Sequence, residues 1–157
     1  MFIYSVRGTT VKLLGVIAMA LVLLFVFASV GEESVLSSVG GSTVNYGGIN
    51  TNADRVAFIE GRGIKVNPEA KIEESFAVPD SFDRIIAGYN EIQKSQGLDL
   101  SDYKGKRVTH YAYEATDYEY DGTVYVNIYI HKNRIIACDV SAMDSSFVKP
   151  LVVIATE

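Results

Sequence analysis

The chain has 157 residues, 48% of them apolar, a net charge of −5 and one cysteine. That suffices for one domain with its own core plus an appendage. An acidic balance with no basic block argues against nucleic-acid binding, and the single Cys138 excludes an intramolecular disulfide, a Cys-x-x-Cys metal knuckle or a redox pair.

Leu13 to Val30 (LLGVIAMALVLLFVFASV) carries no charge. At 1.5 Å per residue the run spans about 27 Å, close to the thickness of a bilayer's hydrocarbon core. It predicts a transmembrane helix over 13–30. Arg7 and Lys12 precede it and Glu32 and Glu33 follow, which places 1–12 in the cytoplasm and the remainder outside the cell membrane. A cleaved signal peptide, ending at Val26-Phe27-Ala28 and leaving a secreted protein, is the alternative, although the run exceeds the usual h-region. A buried core helix is the third reading. Residues 31–48 (GEESVLSSVGGSTVNYGG) read as a flexible linker. The alternation of Val44 and Tyr46 also allows an ordered first loop.

The domain is expected over 49–157. Thr51 can cap a short helix with Asp54 as its capping-box partner, an apolar stripe of Ala53, Val56, Ala57 and Ile59, and an exit at Gly61 and Gly63. Ile72, Phe76 and Val78 alternate with polar residues as in a half-buried strand. Asp80 then caps a main helix to Gln96, with Phe82, Ile85, Ile86, Tyr89 and Ile92 on one face. Tyr103 to Ala142 reads as a three-stranded antiparallel meander. A two-residue turn at Asp121-Gly122 pairs Tyr113 with Ile130 and Tyr118 with Tyr125, giving an aliphatic face for the main helix and a tyrosine-rich face. The next turn, Lys132-Asn133, leaves two registers open. With two loop residues, Ile135, Ala137 and Asp139 join the aliphatic face; with three and a bulge, Ile136, Cys138 and Val140 do. The tail from Phe147 to Ile154 can dock as a final strand, with Pro150 at an edge.

The fold class expected is therefore α+β: an antiparallel meander against one main helix, with a short N-terminal helix, preceded by the transmembrane segment. No catalytic constellation stands out, and no cofactor or metal is expected. His110 and His131, with Cys138 or Asp139, make an incomplete zinc set and read better as solvated surface histidines. Asp117 to Gly122 starts like a calcium loop, but the twelfth position is Ile128 rather than Glu. No Gly-x-Ser-x-Gly elbow or phosphate loop occurs. The tyrosines offer packing or an interaction surface, for which Tyr118, Tyr125, Tyr129 and His131 are the candidates.

Tyr89 to Tyr118 (YNEIQKSQGLDLSDYKGKRVTHYAYEATDY) resembles the signature of an uncharacterised bacterial family, domain of unknown function forty-eight thirty. Thr51 to Val66, Val78-Pro79 with Phe82-Asp83, and Ile135 to Phe147 resemble its other conserved blocks, so the resemblance covers about 49–148. Ile64 stands where an aromatic is commoner, and Ala137-Cys138 where glycines are. The resemblance implies a small membrane-anchored protein of Gram-positive bacteria and brings no activity or site residues. The function expected is a non-catalytic extracytoplasmic domain that binds a protein, peptide or envelope component. The alternatives are a regulatory or inhibitory module of an envelope enzyme, and a weak hydrolase or metal-dependent enzyme.

Overall fold

The computed structural model describes residues 44–153. The expected cytoplasmic segment, membrane anchor and most of the linker lie outside them. Among the described residues no helix is long and apolar enough to cross a membrane. The last five linker residues are part of the domain: Tyr46 is a core residue, and Gly47 bridges to Arg134. The ordered-loop reading of Val44 and Tyr46 is the correct one here.

Thr51 caps the first helix, α1 (Asn52–Glu60), with the full reciprocal box: its hydroxyl accepts from the Asp54 amide, and the Asp54 carboxylate accepts from the Thr51 amide. Its buried face is Phe58 and Ile59, with Val56 half-buried; Ala53 and Ala57, expected inside, are exposed. After a bridge between Val66 and Ala115 come β1 (Ile72–Ala77), α2 (Arg84–Lys94), a 3-10 turn (Leu100–Tyr103), β2 (Arg107–Glu114), β3 (Val124–His131), β4 (Arg134–Ala142) and β5 (Val148–Pro150). The five strands form one antiparallel sheet in chain order, β1-β2-β3-β4-β5. The expected final strand is thus present, with Pro150 on an edge strand that needs no amide there.

Three expectations are corrected. Asp83, not Asp80, caps α2, accepting from the Ile85 and Ile86 amides at 2.9 and 2.8 Å. The first hairpin closes through a loop over 115–123 rather than at Asp121-Gly122, so Tyr113 faces Val126 and Glu114 faces Tyr125. Tyr118 and Tyr120 leave the sheet to pack on Phe147, and the Tyr120 hydroxyl bonds Asp144 and Ser146. Those contacts offset the loss of four ladder positions. The second hairpin combines the two open registers. Lys132 and Asn133, at φ 44° and 63°, form a two-residue turn of the primed kind. The ladder then jumps from Ile130–Ile135 to Tyr129–Ala137, leaving Ile136 bulged. Ile135, Cys138 and Val140 therefore share the aliphatic face, while Ala137 and Asp139 share the tyrosine face.

The helices also exchange roles. The aliphatic face (Tyr113, Val126, Ile128, Ile135, Cys138, Val140) packs with Phe58 and Ile59 of α1, Tyr46 and Leu98. The main helix α2 instead sets Tyr89 against Tyr129, Ile136 and Ala137 on the other face. Its buried stripe, Ile86-Tyr89-Asn90-Gln93, is half polar. Between the Gly47–Arg134 bridge and the three residues of β5, the edge of β4 has no strand partner among the described residues, and glutamines supply one. The Cys138 amide donates to Gln93 Oε1 at 2.9 Å, and Gln96 Nε2 donates to the Cys138 carbonyl at 2.9 Å. Gln96 Oε1 also accepts from the Val152 amide at 2.8 Å. Buried backbone groups need such partners.

Candidate functional site

On the tyrosine face one polar residue from each of four consecutive strands falls in a diagonal row: Glu74, His110, Asn127 and Asp139. The pairing Glu74–His110 and Asn127–Asp139 follows from the ladder. Asn127 Nδ2 donates to Asp139 Oδ1 and to Ser141 Oγ, both at 2.8 Å. Its Oδ1 is then left to accept from His110 Nε2–H at 2.9 Å. His110 Nδ1 stands 3.3 Å from Glu74 Oε1, a bond it makes as donor only when the ring is doubly protonated. The Tyr89 hydroxyl donates to Asp139 Oδ2 at 2.6 Å. The His110 ring lies flat on Tyr129, 4.4 Å between centroids and 8° between planes.

Burial raises the carboxyl of Asp139, against the opposing pull of its bonds from Tyr89 and Asn127. Burial, then the Asp139 charge, pushes the Tyr89 and Tyr129 phenols well above their ordinary value. Both therefore stay neutral, Tyr89 as a donor. Cys138 projects to the other face, and burial drives its thiol upward, the opposite of what a nucleophilic cysteine needs.

This row floors a cavity of about 280 Å³ whose walls include Ile72, Phe76, Tyr125, Met143 and Ser145. Ile72 (40% exposed) and Met143 (68%) are two of the three exposed large hydrophobic residues among those described. Both line this cavity. Ile72, Glu74 and Phe76 alternate along β1, so one face of a terminal strand forms a side of the cavity.

Of the four residues singled out from sequence, Tyr125 and Tyr129 line the cavity, Tyr125 half-buried and Tyr129 spent largely on His110 and Tyr89. Tyr118 stacks on Phe147 at the hairpin loop. His131 lies at the far end of β3, its Nδ1 2.7 Å from the Arg107 carbonyl and its ring against Tyr103. His110 is not a solvated surface histidine: it is 8% exposed and enclosed on both ring nitrogens. Asp117 is occupied by the Lys65 amide at 2.8 Å. Among the described residues no group of three or more His, Cys, Asp or Glu is placed to hold a metal ion. The row itself escaped sequence reading because it forms only in the observed register of the first hairpin.

Residues 65–140 match the model of a family described as Domain of unknown function (DUF4830). Over that span the chain is similar to the DUF4830 family. No curated protein and no solved structure is significantly similar to it. The DUF4830 match is narrower than the resemblance read from sequence, leaving out α1 and β5. It contains the whole polar row from Glu74 to Asp139 together with Tyr89, and ends one residue before Ser141.

Proposed function

We propose that the DUF4830 domain is a non-catalytic binding module that takes an extended peptide segment of a partner alongside β1. One peptide side chain would seat in the cavity beneath. The observation that carries this reading is the coincidence of a terminal strand with a cavity wall. Among the described residues β1 pairs only with β2. The Val78 amide donates to the Lys106 carbonyl, and bonded pairs recur at every second residue of an antiparallel ladder. The amides and carbonyls of Glu73, Ser75 and Ala77 therefore point away from β2, as a row that an added strand can pair with. Natural edges are commonly blunted; β1 is guarded only by Glu73 and Glu74, and those acids favour a segment carrying Lys or Arg. The apolar rim and the buried polar floor suit a side chain with an apolar stem and a donor head.

Support for a non-catalytic role comes from the row's internal closure. Asn127 bonds both Asp139 and Ser141, and His110 Nε2 is committed to Asn127. The uncharged run 13–30, with Arg7 and Lys12 before it, supports display of this module outside a membrane. Protease accessibility of the domain on intact cells tests that placement; protection from protease would overturn it.

The binding reading is tested by selecting displayed random peptides on the full chain in neutral detergent, against Ser75→Pro as counter-selection. Proline at position 75 removes one outward amide and leaves the β2 ladder intact. The expected result is a family of alternating, basic-apolar sequences that bind wild type and lose about tenfold or more on Ser75→Pro and on Ile72→Asp. No enrichment, or sequences indifferent to both substitutions, would overturn it.

A further inference from the structure

We propose that a second recess, on the opposite face of the sheet, binds a phosphate group. It measures about 330 Å³, and the residues lining it include Arg55, Arg107, His131 and Lys132 but no carboxylate. This is unexpected in a chain of net charge −5. The cationic side chains come from three separate places: α1, the start of β2, and the β3–β4 turn. Among the described residues none of Arg55, Arg107 and Lys132 is within ion-pair distance of an acidic group. Two acids border the recess without lining it: Glu73, opposite Tyr111, and Asp54, whose carboxylate accepts from the Asn50 amide at 2.9 Å.

Several parts of the recess are fixed in advance. Arg55 lies 3.8 Å over the Tyr111 ring, its Nε donates to the Tyr113 hydroxyl at 2.6 Å and its Nη2 reaches Asn52 at 3.4 Å. The guanidinium is thus held flat without having its charge neutralised. The turn bearing Lys132 is pinned where the Ile49 amide donates to the Asn133 carbonyl at 3.0 Å. Ser75 Oγ and Thr109 Oγ1, 2.9 Å apart on the floor, add hydroxyls. A preorganised guanidinium, a second arginine, an ammonium and hydroxyl donors are the chemistry that recognises a tetrahedral oxyanion. The recess shares Ser75 with the β1 edge, but its cationic groups lie on the face away from the polar row, so substitutions at 107 and 132 test it apart from the peptide reading.

The test is equilibrium dialysis of the full chain, in neutral detergent, against radiolabelled inorganic phosphate. Saturable binding that weakens with salt is expected, and about tenfold weaker binding in the double variant Arg107→Gln, Lys132→Gln. Both side chains are exposed, so the variant should melt like wild type. A soluble glycerol phosphodiester and phosphatidylglycerol doped into the micelles then serve as competitors. Displacement by the first alone identifies a soluble carrier, displacement by the second a lipid headgroup, and displacement by neither assigns the site to free phosphate. No saturable binding, or equal binding by the double variant, would overturn the proposal.

Discussion

Gln96→Ala should be among the most damaging single changes in this domain. Gln96 is fully buried, and its amide serves two backbone groups on different segments: the Cys138 carbonyl at 2.9 Å and the Val152 amide at 2.8 Å. Alanine strands both in a site that water cannot readily enter. Each stranded group costs about 1–3 kcal/mol, and the lost side-chain packing adds about 1 kcal/mol. The sum, about 3–7 kcal/mol, is a large part of the roughly 5–15 kcal/mol that holds a domain together. Gln96→Met, which refills the volume but not the bonds, should recover about 1 kcal/mol of the loss. Urea unfolding of the full chain in neutral detergent, followed by tyrosine circular dichroism, measures both. A loss below about 1 kcal/mol for Gln96→Ala would refute the reasoning, because it would mean the edge of β4 is hydrated and the glutamine clamp is dispensable.

Tyr113→Phe removes the hydroxyl that accepts from Arg55 and donates to Asn52 at 2.7 Å, so it should cost about 1–3 kcal/mol in the same assay; an unchanged midpoint would show that α1 is held by packing alone. The pH dependence should have two opposed parts. The folded pKa of Asp139 is raised above 3.8, so ionising it costs stability at higher pH, and that cost shrinks as the pH falls from the folded pKa toward 3.8. Asp99 is held down to about 2 by Ser101 and Asn90, so its contribution is present above 3.8 and is lost between 3.8 and about 2. Subtracting the Asp139→Asn curve from that of wild type should leave only the first part; a flat difference would show that Asp139 is not held against ionisation.

Much of the fold was legible because it rests on short-range chemistry: the Thr51–Asp54 box, the Lys132-Asn133 turn, the period-two strands and Pro150 at an edge. The face assignment of the first hairpin survived a wrong register for a physical reason. The slip is four residues, and an even slip leaves every side chain on its own face. What it hid was the site. With a turn at Asp121-Gly122, Asn127 would stand opposite Thr116 and His110 opposite Asn133, so the polar row exists only in the observed register. The bulge was illegible because Ile135 and Ile136 suit either face. The role of α2 was illegible for another reason: Asn90, Gln93 and Gln96 look like a solvated flank, and only the unpaired edge of β4 makes them core. Asp80 and Asp83 are equally good caps by residue type, and the choice between them is made by where Phe82 and Ile85 reach the sheet. Of the surface proposed from sequence, Tyr125 and Tyr129 were placed on the right face, while the departure of Tyr118 depends on Phe147, twenty-nine residues away.

The most direct test of the account is amide hydrogen exchange along β1 in the full chain, with and without a selected peptide. In the free protein the amides of Glu74 and Phe76 should be protected by β2, while those of Glu73, Ser75 and Ala77 exchange freely. Saturating peptide should protect those three and slow exchange nowhere else as strongly. Outward amides already protected in the free chain, or still unprotected under saturating peptide, would contradict it.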